Sequence, residues 1–308
     1  MAIKIIKKGI ADTIQDMGRY GYQHLGIQAN GYLDNQSARL ANTILGNPIH
    51  SPVFEIHFPA SSICFTSNYT ICISGANFVP VLNEKSIAIN TPIKVKQNDY
   101  LQFLKPLEGR VAYIAIQGHI KEEAWLNSHS YFANSIQKDQ QFEWEATTSI
   151  RNQSLEYGNL LSSEKINEIH NYIFSTSPIQ FIPGPAWNDL TEGSQKAFLS
   201  TEYHIGMQSN RMGYPLKGVL LQLNKPNQYL SSAVTRGTIQ LLPNGELIVL
   251  MADHQTIGGY ANLGQIILVD LPRLAQVSNQ TSIHFMETTI DTAHKLYQQI
   301  EKKFIHRS

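Results

Sequence analysis

The sequence predicts a mainly β protein built from two strand-rich domains, and three observations lead there. Short runs rich in β-branched and aromatic residues recur along the 308 residues, separated by Gly, Asn and Pro. Helical periodicity is confined to three segments. A polar stretch, NQSLEYGNLLSSE, leads through one of these helices to a proline-punctuated restart at Pro178, Pro183 and Pro185. The expected boundaries are therefore an N-terminal β-rich domain over 1–175 and a second β domain over 176–308, with a few peripheral helices.

In chain order, strands are expected at IKII (3–6), VFEIHF (53–58), SSICFTSNYTICIS (61–74), DYLQFL (99–104) and RVAYIAIQG (110–118). In VAYIAIQ the apolar residues are nearly continuous, which suits a strand covered on both faces. The second half contributes VLLQL (219–223), TIQLL (238–242), LIVLM (247–251) and QIILVDL (265–271). Asp34 is placed to N-cap NQSARLANTIL, which Gly46-Asn47-Pro48 should stop. Ser163 is placed to cap EKINEIHNYIF. The segment DTAHKLYQQIEKKF puts Ile290, Ala293, Leu296, Tyr297, Ile300 and Phe304 on one stripe.

Composition excludes several classes. Lys plus Arg equals Asp plus Glu at 24 each, so no broad field favours nucleic acid or a membrane surface. Two cysteines, Cys64 and Cys72, make no disulfide framework and are expected as thiols. No apolar run reaches membrane-spanning length, and MAIKIIKKGI has no long apolar core with a cleavage site, so the expectation is a cytoplasmic protein. There is no phosphate loop of the GxxxxGK type, no dinucleotide fingerprint after a strand and no nucleophile elbow. The eleven histidines form no zinc pattern, so no metal is expected.

Four polar clusters rich in glycine interrupt the strands. In IQDMGRYGYQHLGI (14–27), Arg19 offers a planar fork for an anion, and Gly18 and Gly21 permit sharp turns; an exposed Asp16–Arg19 pair on a plain turn explains the same letters. In QSNRMGYPLKG (208–218), Arg211 can face an anion, while Ser209 and Asn210 also suit an ordinary turn. ISGANF (73–78) reads as a loop near a site or as a bulge. In the remaining cluster, Pro243-Asn244-Gly245 joins TIQLL and LIVLM as a hairpin. Its far end should bring Thr235-Arg236-Gly237-Thr238 beside Asp253-His254-Gln255-Thr256. There Asp253 can serve as base or orienter, Gln255 can hold an amide or carboxylate, and Gly258-Gly259 can offer N–H groups to an oxyanion. His254, next to Asp253 on a strand, is expected to face solvent.

Taken in order, GIADTIQDMGRYGYQHLGIQANGYLD, SARLANTILGNP, ISGANF, SNRMGYPLKG, VTRGTIQLLPNGELIVLMADHQTIGGY and VDLPRLAQV resemble one family. It is the family of the bacterial 5-oxoprolinase C subunit, also called allophanate hydrolase subunit 2 or the KipA family, and it is related to half of the urea carboxylase carboxyltransferase domain. The resemblance extends over about residues 9–118 and 178–285. It implies barrel-like domains similar to cyclophilin. It also implies an ATP-dependent cyclic-amide hydrolase that opens 5-oxoproline to glutamate, active only in complex with a KipI-like B subunit and with the A subunit. ATP would be used by the complex; biotin enters only by analogy with urea carboxylase. On this reading the catalytic candidates are Asp253, Gln255 and Arg211. The substrate-binding candidates are Gln15, Asp16, Arg19, Asn210, Thr238, Gln240, Gly258, Gly259 and Tyr260. Arg236, His254 and Ala261 replace the proline, arginine and proline usual in the family, and 127–150 lacks its usual glycine-rich stretch. Those departures motivate the alternative of a non-catalytic regulatory protein that works on a KipI-like partner.

Overall fold

The computed structural model describes residues 2–130, 135–145, 161–225 and 228–304. The chain divides into one unit of Met1–Arg19, Asn30–Ile173 and Lys303–Ser308, and a second of Tyr20–Ala29 and Phe174–Lys302. The first glycine cluster is thus shared out, with Gln15, Asp16 and Arg19 in the first unit and residues 20–27 in the second. Within 127–150, residues 131–134 and 146–150 lie outside the described residues.

The first unit contains β1 (Ala2–Lys7), β2 (Thr13–Gln15), α1 (Asn35–Leu45), β3 (Val53–His57), β4 (Ser62–Phe65), β5 (Tyr69–Asn77), β6 (Pro80–Leu82), β7 (Lys85–Ser86), β8 (Ile93–Val95), β9 (Tyr100–Phe103), β10 (Glu108–Ile116), β11 (His119–Ile120), β12 (Gln141–Glu145) and α2 (Ser163–Ile173). They form a seven-stranded sheet, β11-β12-β1-β4-β9-β6-β7, and a five-stranded sheet, β2-β3-β10-β5-β8. One core joins the two: Ile3, Ile63, Phe65 and Leu101 from the first sheet pack with Phe54, Ile71, Ile73 and Ile114 from the second. Phe54 meets Phe142 edge-on at 5.3 Å and stacks on Trp144 at 6.0 Å. Each fully buried side chain of this size contributes ~1.5–3 kcal/mol. The other face of β5 and β10 is covered by α1, which is why Val111–Ile116 is buried without alternation. Asp34 caps α1 by accepting from the Ser37 N–H, and Gly46 ends it in the left-handed region, as the sequence suggests.

The second unit contains β13 (Ile179–Pro183), α3 (Glu192–Ser200), β14 (Tyr203–Ile205), β15 (Gly213–Lys217), β16 (Ser232–Ala233), β17 (Thr238–Leu241), β18 (Leu247–Leu250), β19 (Ile257–Gly258), β20 (Ala261–Ile266), α4 (Leu271–Gln276), β21 (Ser282–Ile283), β22 (Phe285–Glu287) and α5 (Ile290–Phe304), the last two residues of which belong to the first unit. Its main sheet runs β21-β14-β15-β18-β17-β20-β13-β22. The two edge strands, β21 and β22, are separated in sequence by His284 alone. One short length of chain therefore serves both edges, and the sheet curls into a nearly closed barrel, which removes exposed strand edges. Phe181, Trp187, Phe198, Tyr203 and Phe285 pack against one another, with Phe198 stacked on Phe285 at 4.8 Å.

Several sequence expectations shift. VLLQL is not a strand: the Gln222 carbonyl accepts from Thr191 N, the Gln222 N–H donates to Ser194 Oγ, and the Leu221 N–H donates to the Gly245 carbonyl. Its backbone groups are satisfied by the start of α3 and by the hairpin turn instead of by a neighbouring strand. QIILVDL leaves the sheet at Ile266, where a turn closed by Asp270 N to the Ile267 carbonyl feeds α4. At α2 the side chain that caps is Ser162, which accepts from the Lys165 N–H; Ser163 already lies inside the helix. On α5, Ile300 and Phe304 are buried while Ile290 and Tyr297 are exposed. ISGANF continues β5 as far as Asn77, and the irregularity opposite it belongs to β10: Gly75 pairs with Ala112 and Asn77 with Glu108, so the extra residues lie within 109–111, with Gly109 at φ +76°. Both cysteines are free, and burial pushes the Cys72 thiol up to about 12.

Candidate functional site

The β17–β18 hairpin forms as expected. Ile239 pairs with Val249 and Leu241 with Leu247, and the turn closes through Gly245 N to the Leu242 carbonyl with Gly245 at φ +86°. At its far end Gly237 N donates to the Leu250 carbonyl, and Val234 N to the Thr256 carbonyl. TRGT and DHQT are therefore neighbours.

Arg211 and Asp253 meet at this end in a two-point ion pair. Nε donates to Oδ2 at 2.7 Å and Nη2 to Oδ1 at 2.8 Å. The backbone repeats the link, Asp253 N donating to the Arg211 carbonyl, and Gln28 Nε2 donates to the Asp253 carbonyl. Both carboxylate oxygens are engaged by one guanidinium, so this geometry suits Asp253 to holding Arg211 in place. Gln255, two residues further along the chain, is half-buried. Asn210 is exposed and stabilises its own turn, accepting from Met212 N at 2.8 Å and donating to the Gln208 carbonyl. Thr238 Oγ1 accepts from Thr235 N and donates to Gln265 Oε1, which also receives Thr235 Oγ1 at 2.9 Å.

His254 departs from expectation. It is 6% exposed rather than solvent-facing, with Nδ1 2.5 Å from the Gln255 carbonyl. The residues leave strand geometry after Leu250, so alternation no longer decides which way each side chain points. Burial holds the His254 pKa below its usual value, with the Arg236 charge adding to the effect, so the ring is neutral at pH 7.

The glycine pair does not share the Asp253 end. After Thr256 the chain runs back along the barrel: Ile257 and Gly258 pair with Ala233 and Ser232, and Ala261 pairs with Leu241. Leu241 lies three residues from Thr238, about 10 Å along the strand. Gly259 and Tyr260 line a pocket of about 780 Å³ together with Leu220, Leu241, Pro243 and Gly245, at the turn end of the hairpin. Gly258 lies between the two ends, against Gln240. Gln240 and its cross-strand neighbour Asn262 are polar positions inside the barrel wall; Asn262 went unnoticed in the sequence because a lone Asn in ANLGQII breaks no pattern.

In the first unit, Asp16 and Arg19 are buried rather than an exposed surface pair. Asp16 Oδ1 accepts from Gly18 N, Ser128 Oγ and Ser130 Oγ at 2.6–2.7 Å, and Oδ2 accepts from His129 N at 2.6 Å. Burial alone would raise its pKa, but the hydrogen bonds from His129, Ser128, Ser130 and Gly18 outweigh that and hold the carboxyl far below its usual range. The hydrogen bond to Asp16 in turn raises the His129 pKa. Arg19 donates to Asn30 Oδ1 at 2.5 Å and to the Ser130 carbonyl, and lies over the Trp125 ring at 4.6 Å. Gln15 is buried in β2 and donates to Thr13 Oγ1 at 3.0 Å. Ser128 and Ser130, more than a hundred residues away in sequence, had no local signal. Among the described residues no group of His, Cys, Asp and Glu could hold a metal ion, and no helix is long and apolar enough to cross a membrane.

Comparison with known proteins follows the same lines. The chain is 29% identical over 309 residues to the 5-oxoprolinase C subunit of Escherichia coli K12, covering 98% of this chain and 96% of that protein. It is 28% identical to the 5-oxoprolinase C subunit of Haemophilus influenzae over 295 residues, covering 92% of the latter. A urea amidolyase of Lachancea kluyveri is 25% identical over 96% of this chain, which spans only 17% of that protein. In structure, the chain superposes along its whole length on 20% of the Kluyveromyces lactis urea amidolyase with a TM-score of 0.86 at 22% identity, a likeness of fold. The carboxyltransferase domain, subdomains A and B, matches residues 25–287, and the chain belongs to that family.

Proposed function

We propose that this chain is the C subunit of an ATP-dependent 5-oxoprolinase that opens 5-oxoproline to L-glutamate, working only in complex with a KipI-like B subunit and with the A subunit. The observation behind this is the near end-to-end match to two 5-oxoprolinase C subunits, against a match to a small part of the urea amidolyase. The chemistry available is consistent with it. Opening a lactam breaks the ring C–N bond, adds water at the carbonyl and delivers a proton to nitrogen. Arg211, held by Asp253, supplies a fixed cation for the substrate carboxylate, and half-buried Gln255, two residues along from Asp253, supplies an amide. We assign ATP to the complex, following the match to the 5-oxoprolinase C subunits.

The test is glutamate release from 5-oxoproline and ATP by the co-expressed subunits. Asp253→Ala and Gln255→Ala should each abolish most of the release while leaving the complex assembled on gel filtration. A folded complex that releases no glutamate beside a working control would sink the assignment. A second reading, a regulatory subunit of the KipA type, is favoured by one observation: His254, where the family usually has arginine, is buried and neutral. That reading expects partner binding without turnover, so the same assay separates the two.

A further inference from the structure

Two neighbouring residues in the wall of the second unit's barrel bring together three buried side-chain atoms with no hydrogen-bond partner among the described residues. Gln240 on β17 is 1% exposed, and neither its Oε1 nor its Nε2 has a hydrogen-bond partner among the described residues. Asn262 on β20 is its direct cross-strand partner, and its Oδ1 is buried and equally unpartnered. Directly opposed residues in an antiparallel pair project to the same face. Buried polar atoms are almost always paired, so three orphans gathered at one ladder position call for a ligand.

The surroundings agree. A Cβ on Gly258 would lie 2.6 Å from Gln240 Nε2, and one on Gly184 2.8 Å from Asn262 Oδ1. Neither glycine has a positive φ, so the backbone does not demand glycine at either place. At Gly258 the atom that a side chain would meet first is the Gln240 amide itself; at Gly184 the Asn262 carbonyl at 2.7 Å and Gly264 N at 2.9 Å crowd the position along with the amide. Gly258 belongs to the two-stranded ribbon β16–β19, held by the pairs Ser232–Gly258 and Ala233–Ile257. Ser232 and Ala233 are exposed and Ile257 is 61% exposed, so the ribbon is a thin cover with solvent on its outer side. A ribbon that short is only marginally stable by itself.

We propose that Gln240 and Asn262 form a subsite for the edge of a five-membered cyclic amide, closed over by the β16–β19 ribbon. Ring closure locks such an amide cis, placing its N–H and C=O side by side. The Gln240 side chain offers the complement, Oε1 to accept from the ring N–H and Nε2 to donate to the ring carbonyl. Two parallel hydrogen bonds then satisfy both atoms at once, and Asn262 Oδ1 is left to accept from a further ligand donor. A cyclic urea presents the same edge with a second N–H. That 5-oxoproline is the lactam concerned rests on the proposed function; the edge chemistry does not.

The test is calorimetric titration of the full chain with 2-pyrrolidinone, 5-oxoproline, 2-imidazolidinone and N-methyl-2-pyrrolidinone. The lactams with a free N–H should bind, and the N-methyl compound should bind about tenfold more weakly or not at all. Gln240→Met, close in shape, should weaken lactam binding by about tenfold or more without lowering the melting temperature. Gly258→Ala, which drives a methyl into the amide, should also weaken lactam binding. Equal binding of the N-methyl compound, unchanged binding by Gln240→Met, or no binding by the folded wild type would each overturn the subsite. A preference for 2-imidazolidinone that Asn262→Ala removes would overturn the lactam in favour of a cyclic urea. Gln240-dependent lactam binding in a complex that releases no glutamate would leave the subsite standing and remove the proposed function. Glutamate release with a KM indifferent to Gln240→Met would do the reverse.

Discussion

Asp253→Asn removes the anion beneath the Arg211 fork while keeping its shape. The side chains of Arg211 and Asp253 are 11% and 3% exposed, and both contacts are at or below 2.8 Å. Removing one partner of a buried ion pair costs ~3–5 kcal/mol, because the survivor is left uncompensated. Arg211 keeps a little access to water, so the lower end applies and about 3 kcal/mol is expected. At ~2–4 °C per kcal/mol, the melting temperature should fall by roughly 6–12 °C. Arg211→Met should cost at least as much, since it strands the more deeply buried partner. Arg211→Lys restores charge without the fork and should fall between wild type and Met. Urea unfolding of the singles and of the double Arg211→Met/Asp253→Asn gives the coupling directly. Interacting partners predict a double mutant well short of the sum of the singles. Single losses below ~1 kcal/mol, or strict additivity, would refute the description of Asp253 as the residue that fixes Arg211.

Two further predictions concern pH, with opposite signs. The His254 pKa is lowered in the fold, so between that value and about 6.5 the unfolded chain binds more protons. Stability should therefore fall as pH drops below that point, and His254→Gln should flatten the slope in urea titrations followed by tryptophan fluorescence. A slope unchanged by the substitution would refute it. His129 has a raised pKa through its bond to Asp16, so its contribution is complete below about 6.5 and is lost as pH climbs through the folded value. Asp16, with a depressed pKa, contributes above about 4 and loses its contribution as pH falls below that. Hydrogen exchange of residues 16–19 should follow both limbs in wild type and neither in Asp16→Asn.

Local chemistry explains what was readable in advance. α1 could be placed because Asp34 and Gly46 act on groups within a few residues of themselves. The β17–β18 hairpin could be placed because Asn244-Gly245 answers a backbone demand at the turn itself. What stayed hidden depends on partners distant in sequence. Nothing near Asp16 announces that Ser128 and Ser130 will close over it, and nothing in VLLQL shows that its N–H and C=O groups will be claimed by Ser194, Thr191 and Gly245. Apolar runs report burial without reporting whether a sheet neighbour is available. The direction of His254 was misread for a related reason, since alternation holds only while the chain stays in a strand.

The run MADHQTIGGY shows how far sequence proximity can mislead about a site. Its ten residues read as one rim, yet they traverse the barrel wall. Asp253 grips Arg211 at one end, Gly258 bears on Gln240 midway, and Gly259 and Tyr260 reach the pocket at the hairpin turn. The two ends of β17 lie about 10 Å apart, and the Gly259 backbone belongs to the pocket at the turn end. The glycines are better explained by what they adjoin. Gly258 permits close approach to a buried amide that has no protein partner among the described residues. If substrate recognition is distributed in this way, variants at Gln240 should act on KM and those at Gln255 on kcat, because only the first residue meets the ring edge before the carbonyl is attacked.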